Sequence, residues 1–151
     1  MKARRPMLLL IAALIIVTLL VMACASRSKQ APGLANGKLS PCPGTPNCVS
    51  SEDPAENSQI DPFTFEGAPE GAWSRLKQAI LAEGGSIEKD DDIYLWATFT
   101  SRLFHFVDDV EFRLDAANRL IHVRSASRVG YSDMGVNRKR VEALRKTYTH
   151  P

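Results

Sequence analysis

Nineteen consecutive residues without a charge, Met7–Ala25, constrain this chain more than any other feature. As a helix that run is just long enough to span a bilayer. Lys2, Arg4 and Arg5 precede it, and a basic segment before an apolar stretch is the layout of a secretory signal. The cationic end stays on the cytoplasmic side while the apolar stretch enters the membrane. The same three bases also carry the charge balance. The chain has 19 Lys and Arg against 17 Asp and Glu; setting those three aside leaves 16 bases and a net −1. A body so close to neutral is not a dedicated nucleic-acid binder. Its 44% hydrophobic and 24% charged residues are the proportions of a chain that folds.

The end of the run is more specific. Val21-Met22-Ala23-Cys24 resembles the lipobox of bacterial lipoproteins, with an aliphatic residue three before the cysteine and a small one directly before it. The resemblance implies a signal peptide over residues 1–23, diacylglycerol on the Cys24 sulfur, cleavage after Ala23 and acylation of the new amino terminus. A thiolate is the side chain best able to attack a lipid donor, and two or more acyl chains anchor a protein durably. The expected address is the bacterial cell envelope, on the periplasmic side. Ala25 and Ser26, with no acid after the cysteine, favour the outer membrane by analogy with enterobacterial sorting. An uncleaved transmembrane helix, or a buried apolar helix, are the other readings of the same run.

With Cys24 assigned to lipid, Cys42 and Cys48 remain as a pair within CPGTPNC. In an oxidising compartment they read as a disulfide closing a short loop. Two free thiols are the alternative, and His105, His122 and His150 lack the spacing for a zinc site with them. No metal or cofactor is expected. Residues 24–40 are small and polar, without periodicity, and read as a flexible tether holding the domain roughly 20 Å from the bilayer. Residues 41–151 then form one globular domain.

Within it, residues 49–61 read as polar loop and Pro62–Phe65 as a short edge strand. Trp73, Leu76 and Ile80 recur at helical spacing after Pro69, and Gly84-Gly85 stops that helix. Asp90-Asp91-Asp92 marks a turn. Three runs of period two follow, at 93–101, 107–114 and 120–128, the last two joined as a hairpin through Asp115–Asn118. Keeping their apolar faces together restricts the register to steps of two, which sets Glu111 across from Arg124 or His122. Tyr94 and Trp96 read as core or groove lining. A helix from about Arg138 to Tyr148 closes the chain, with Asn137 as its N-cap and Val136 and Val141 as a hydrophobic staple. The expected class is α+β: an antiparallel meander of three to four strands against an earlier helix and a C-terminal helix.

Three segments, CPGTPNCVSS, FVDDVEF and RSASRVGYSDMGVNRKRVE, resemble the domain of unknown function 1499 family. The likeness runs from roughly Ser40 to Tyr148. It implies a lipoprotein, a membrane-anchored protein or a plastid protein, and supplies no reaction.

One polar constellation stands out. Residues 124–140 bring Arg124, Ser125, Ser127, Arg128, Tyr131, Ser132, Asp133, Asn137, Arg138, Lys139 and Arg140 to a strand end, a glycine-bracketed loop and a helix start, with Asp108, Asp109 and Glu111 on the adjacent strand. Guanidinium groups beside helix N-terminal amides suit a phosphate or carboxylate. A structural network, with the acids neutralising the arginines, is the plainer reading. No G-x-S-x-G, H-E-x-x-H or P-loop spacing occurs, so no motif backs a nucleophile, metal or nucleotide claim. The expected function is a non-enzymatic domain binding a partner protein or a small anionic or lipidic ligand. The alternative is a small hydrolase using Asp108, Asp109 or Glu111 with Arg124 and Arg128. If Arg128 contacts ligand, Arg128→Ala should leave the fold intact.

Overall fold

The structure, a computed structural model, describes residues 4–150. Helix α1 (Arg4–Ser28) contains the apolar run, and Met7–Ser28 is long and apolar enough to cross a membrane, which suits a signal peptide or a membrane anchor. A two-residue hairpin follows, β1 (Leu34–Ala35) and β2 (Lys38–Leu39). The domain continues with β3 (Cys48–Ser50), β4 (Phe63–Thr64), α2 (Pro69–Ala82), β5 (Ser86–Asp90), β6 (Tyr94–Thr100), β7 (Val107–Asp115), β8 (Leu120–Ser127) and α3 (Val136–Thr149).

The fold is α+β, as expected, but the sheet has six strands rather than three or four. Its order is β3-β8-β7-β6-β5, all antiparallel, with β4 also pairing with β8. The expected meander is its centre. Both later helices pack on one face, where Leu76, Ile80, Val141 and Leu144 meet Leu95, Val110, Phe112, Ile121 and Val123. Alternation along β7 makes this possible, since Val110 and Phe112 project to one side and Asp109, Glu111 and Arg113 to the other.

Helix α2 begins at Pro69, where its missing N–H is no loss, and ends in a Schellman arrangement. Gly84 takes a φ of +82° and its N–H reaches the Leu81 carbonyl, while the Gly85 N–H reaches that of Ile80. Gly85 has a second constraint. A Cβ there would lie 2.6 Å from the Phe99 ring and 2.8 Å from Ile80, so nothing larger fits.

Three local expectations are corrected. The segment read as tether is shorter than supposed: α1 runs to Ser28, and Asn36-Gly37, both at positive φ, turn the β1–β2 hairpin. Leu39 is buried and its N–H donates to Glu52. The segment read as loop over 49–61 contributes β3, with Cys48, Val49 and Ser50 paired to Ala126, Ser125 and Arg124. The disulfide Cys42–Cys48 is formed and fixes the preceding loop to that strand. Finally, Asn137 is not an N-cap. Helix α3 starts at Val136 after Gly135, and Val136 is exposed, so no staple forms with Val141. Asp133 does the capping, accepting the Gly135 and Asn137 N–H groups at 2.9 and 2.6 Å.

Candidate functional site

The pleat of β8 divides the predicted constellation between the two faces of the sheet. Arg124 and Arg128 project to the face away from α2 and α3, with Glu111 and Asp109 beside them. The register is one of the two allowed by the sequence, Glu111 opposite Arg124.

On this outer face Glu111 is wholly buried. Its Oε2 accepts from Arg124 Nη1 at 2.8 Å, and its Oε1 accepts from the Tyr94 hydroxyl at 2.8 Å and the Gly33 N–H at 2.9 Å. Burial pushes its carboxyl above the ordinary range despite Arg124, Tyr94 and the Gly33 amide, which all favour the ionised form. Burial, followed by the Glu111 charge, likewise pushes the Tyr94 phenol up. Asp109 is clasped by Arg128 through two bonds of 2.9 and 2.7 Å and accepts from the Trp96 indole at 2.7 Å. Arg128 also donates to the Ser26 carbonyl at 2.9 Å and lies over the Trp96 ring. Glu52 and Arg113 make a third two-bond pair, at 3.1 and 2.8 Å. The residues after the apolar run cover all this: Ser26 is buried, and Gly33 and Leu39 bond to Glu111 and Glu52.

The helix-side face holds the rest. Asp108 pairs with Arg140 at 2.6 Å, and Arg140 donates to Asn137 Oδ1 at 2.7 Å. Asn137 Oδ1 also accepts from the Ser125 hydroxyl, while its Nδ2 donates to the Asn47 carbonyl and to Ser127 Oγ. Asn137 is fully buried, so it bolts α3 to β8 and to the disulfide loop at once. Tyr131 and Ser132 project from the β8–α3 loop and join neither network.

Arg138 stands apart. It donates to the Asn57 and Gln59 carbonyls at 3.3 and 2.8 Å and has no carboxylate within 4.0 Å among the described residues. It lines a cavity of about 230 Å³ between the disulfide loop and the start of α3, together with Thr45, Pro46, Asp53, Ser58 and Asp133. Asp53 is occupied: burial opposes its ionised form, but bonds from the Cys42 and Ala55 N–H groups and the Ser58 hydroxyl outweigh that and hold its carboxyl below the ordinary range. Glu111, Asp109 and Asp108 do not line this cavity. No three His, Cys, Asp or Glu side chains among the described residues are placed to hold a metal.

Sequence reasoning missed Tyr94, Trp96 and Glu52 as members of the outer network. Strand parity could have found the first two, since Trp96 pairs with Glu111 and Tyr94 with Arg113. Nothing local announces Glu52, whose partner lies 61 residues away.

These shifts fix a pH response. Burial holds His122 below its usual 6.5, against the pull of Glu52, so the folded state takes up its proton late. Glu52 and Asp53 are held below 4.5 and 3.8 respectively, each because bonds to Arg113, Leu39 or the Asp53 loop outweigh burial. Groups that bind fewer protons when folded lose their contribution as the pH falls through their range. Glu111, shifted upward, works against them. Urea unfolding should therefore show stability declining as pH drops below 6.5, then more steeply below 4.5. His122→Gln should remove the first decline; a wild-type profile flat from pH 7.5 to 5 would contradict the buried imidazole.

A family model described as protein of unknown function (DUF1499) matches residues 38–147, from the second strand of the small hairpin almost to the end of α3. No curated protein and no solved structure matches the chain. The match spans most of the sequence and all three segments that carry the resemblance, so the chain belongs to the DUF1499 family.

Proposed function

We propose that this chain is a lipoprotein of the bacterial envelope, anchored through Cys24, whose domain binds a small anionic ligand and performs no catalysis. The observation that supports this reading best is the contrast between Arg138 and the rest of the constellation. Arg124, Arg128 and Arg140 are each neutralised by a carboxylate, whereas Arg138 meets only carbonyls at the rim of a cavity. A guanidinium so placed still has donors for a carboxylate or phosphate. The hydrolase alternative needs Asp108, Asp109 or Glu111 to face a substrate, and each is spent on an arginine, Asp109 and Glu111 in buried pairs and Asp108 in a partly buried one.

Two measurements test the two halves. Mass spectrometry of the mature amino-terminal peptide should find Cys24 first and acylated; an intact Met1 would overturn the lipid anchor. Titration of the full chain in detergent with inorganic phosphate should shift the amide resonances of Gly44, Thr45, Asn47 and Cys48 and of residues 133–138. Arg138→Ala should weaken that response at least tenfold with the fold unchanged, and an undiminished response would overturn the site.

A further inference from the structure

We propose that the end of the domain from which α1 departs lies on the bilayer, with the β6–β7 and β8–α3 loops seated in its headgroup region. This rests on the reading of α1 and Cys24 as the membrane anchor, whether the signal is cleaved or retained.

Register places the relevant pieces together. Thr100 pairs with Val107 and Asp108 with Ser127, so β6 ends, β7 begins and β8 ends at one edge of the domain. The last turn of α1 is fastened to that same edge. The Val107 N–H donates to Ser26 Oγ at 3.2 Å, Arg128 donates to the Ser26 carbonyl at 2.9 Å, and Lys29 donates to the Arg128 carbonyl at 2.8 Å. Cys24 is two residues before this fastening, a reach of about 7 Å even fully extended. The stand-off of roughly 20 Å that a free tether would allow is therefore closed.

What this edge presents to the membrane is apolar at its tips and basic around them. Leu103 is 76% exposed and Phe104 44%, with Phe104 stacked on Phe106 at 5.7 Å; across the edge Tyr131 is 73% and Met134 90% exposed. Single exposed apolar side chains are ordinary. Here, however, of the seven large ones exposed outside α1 among the described residues, only Leu81 and Ile93 lie away from these two loops and the first residue of α3. Arg27, Lys29 and Arg102 are exposed nearby, and the one acid in the two loops, Asp133, is engaged in capping α3. Aromatic and aliphatic tips ringed by Lys and Arg match the headgroup region of an anionic bilayer, where each basic residue near the surface adds about 1 kcal/mol. The cavity beside Arg138 opens between the disulfide loop and the β8–α3 loop, so a docked domain would hold that site close to the membrane.

The test uses the full chain reconstituted into vesicles of phosphatidylethanolamine and phosphatidylglycerol, with p-benzoylphenylalanine replacing one surface residue at a time. After illumination, lipid adducts at positions 103 and 134 should exceed those at 93 and 118, which lie in turns at the opposite end of the sheet, by at least tenfold. A chain that floats with the vesicles yet gives equal yields at all four positions overturns the docking and leaves the anchor standing. A chain that does not float overturns the anchor and the docking with it. Adducts at 103 and 134 to protein rather than lipid would assign this edge to a second copy of the chain, the one protein in the vesicles, and overturn the bilayer as its occupant.

Discussion

Glu111→Ala is expected to destabilise the domain by about 3–5 kcal/mol, the usual result of removing one member of a buried ion pair. The wholly buried carboxylate serves three donors: the Arg124 guanidinium, the Tyr94 hydroxyl and the half-buried Gly33 amide. Arg124 would be left charged and buried, and its Nε already lacks a partner. Domains of this size have about 5–15 kcal/mol in total, so the variant should be close to unfolding. Replacing the pair, Glu111→Leu with Arg124→Met, should recover part of the loss, because the dehydration that pushes the Glu111 carboxyl upward disappears with the charges. Urea unfolding measures both. The result also bears on function, since removing a strained catalytic acid commonly leaves stability unchanged or raises it. A loss below about 1 kcal/mol with the fold retained would mean that Glu111 is open to water, and would revive the hydrolase.

Phe63→Ala should have an effect of the same size, about 3–5 kcal/mol, by a different route. Strand β4 is only two residues long, and Phe63 is its one inward side chain. Its ring meets Phe112 of the sheet edge-on at 5.9 Å and Tyr148 of α3 at 5.5 Å, and the Arg145 guanidinium covers it at 4.5 Å. Truncation leaves a cavity where strand, sheet and last helix meet. The Arg145 bonds to the Asp61 and Pro62 carbonyls, which hold the same corner, would lose their apolar backing. A drop in the urea midpoint without a change in slope is the expected signature. A cost under about 1 kcal/mol would show that β4 is an ornament on the sheet.

The elements legible in the sequence are those long enough to display a period. Helix α2 showed its stripe and its stop; β7 and β8 showed alternation over eight or nine residues, enough to limit the Glu111 partner to two candidates. Strands β1 to β3 have two or three residues each, too few for any period, and β5 lies at an edge with only Ile87 half-buried; β4, equally short, falls within the edge strand expected at Pro62–Phe65. Asn36-Gly37 was a usable hairpin signal inside a segment whose composition suggested a tether. Asn137 carried the right chemistry for a cap, but tertiary bonds to Ser125, Ser127 and Asn47 recruited it instead. The constellation at 124–138 was a true concentration of polar groups, yet neighbours in a strand face opposite ways, so a cluster in sequence became two networks in space. Arg138, which lies on α3 and pairs with no carboxylate among the described residues, kept donors free toward a cavity.

The amide that completes the Glu111 cradle belongs to Gly33, 78 residues upstream. The β6–β7–β8 meander closes through short turns and can assemble quickly, whereas residues 26–39 must return over a long span. The portion translated early therefore lands late, and until it lands the acidic and basic side chains beneath it remain hydrated. Folding of this protein should thus finish with a drying step, in which water leaves the outer surface of the meander as the first-made segment settles over it.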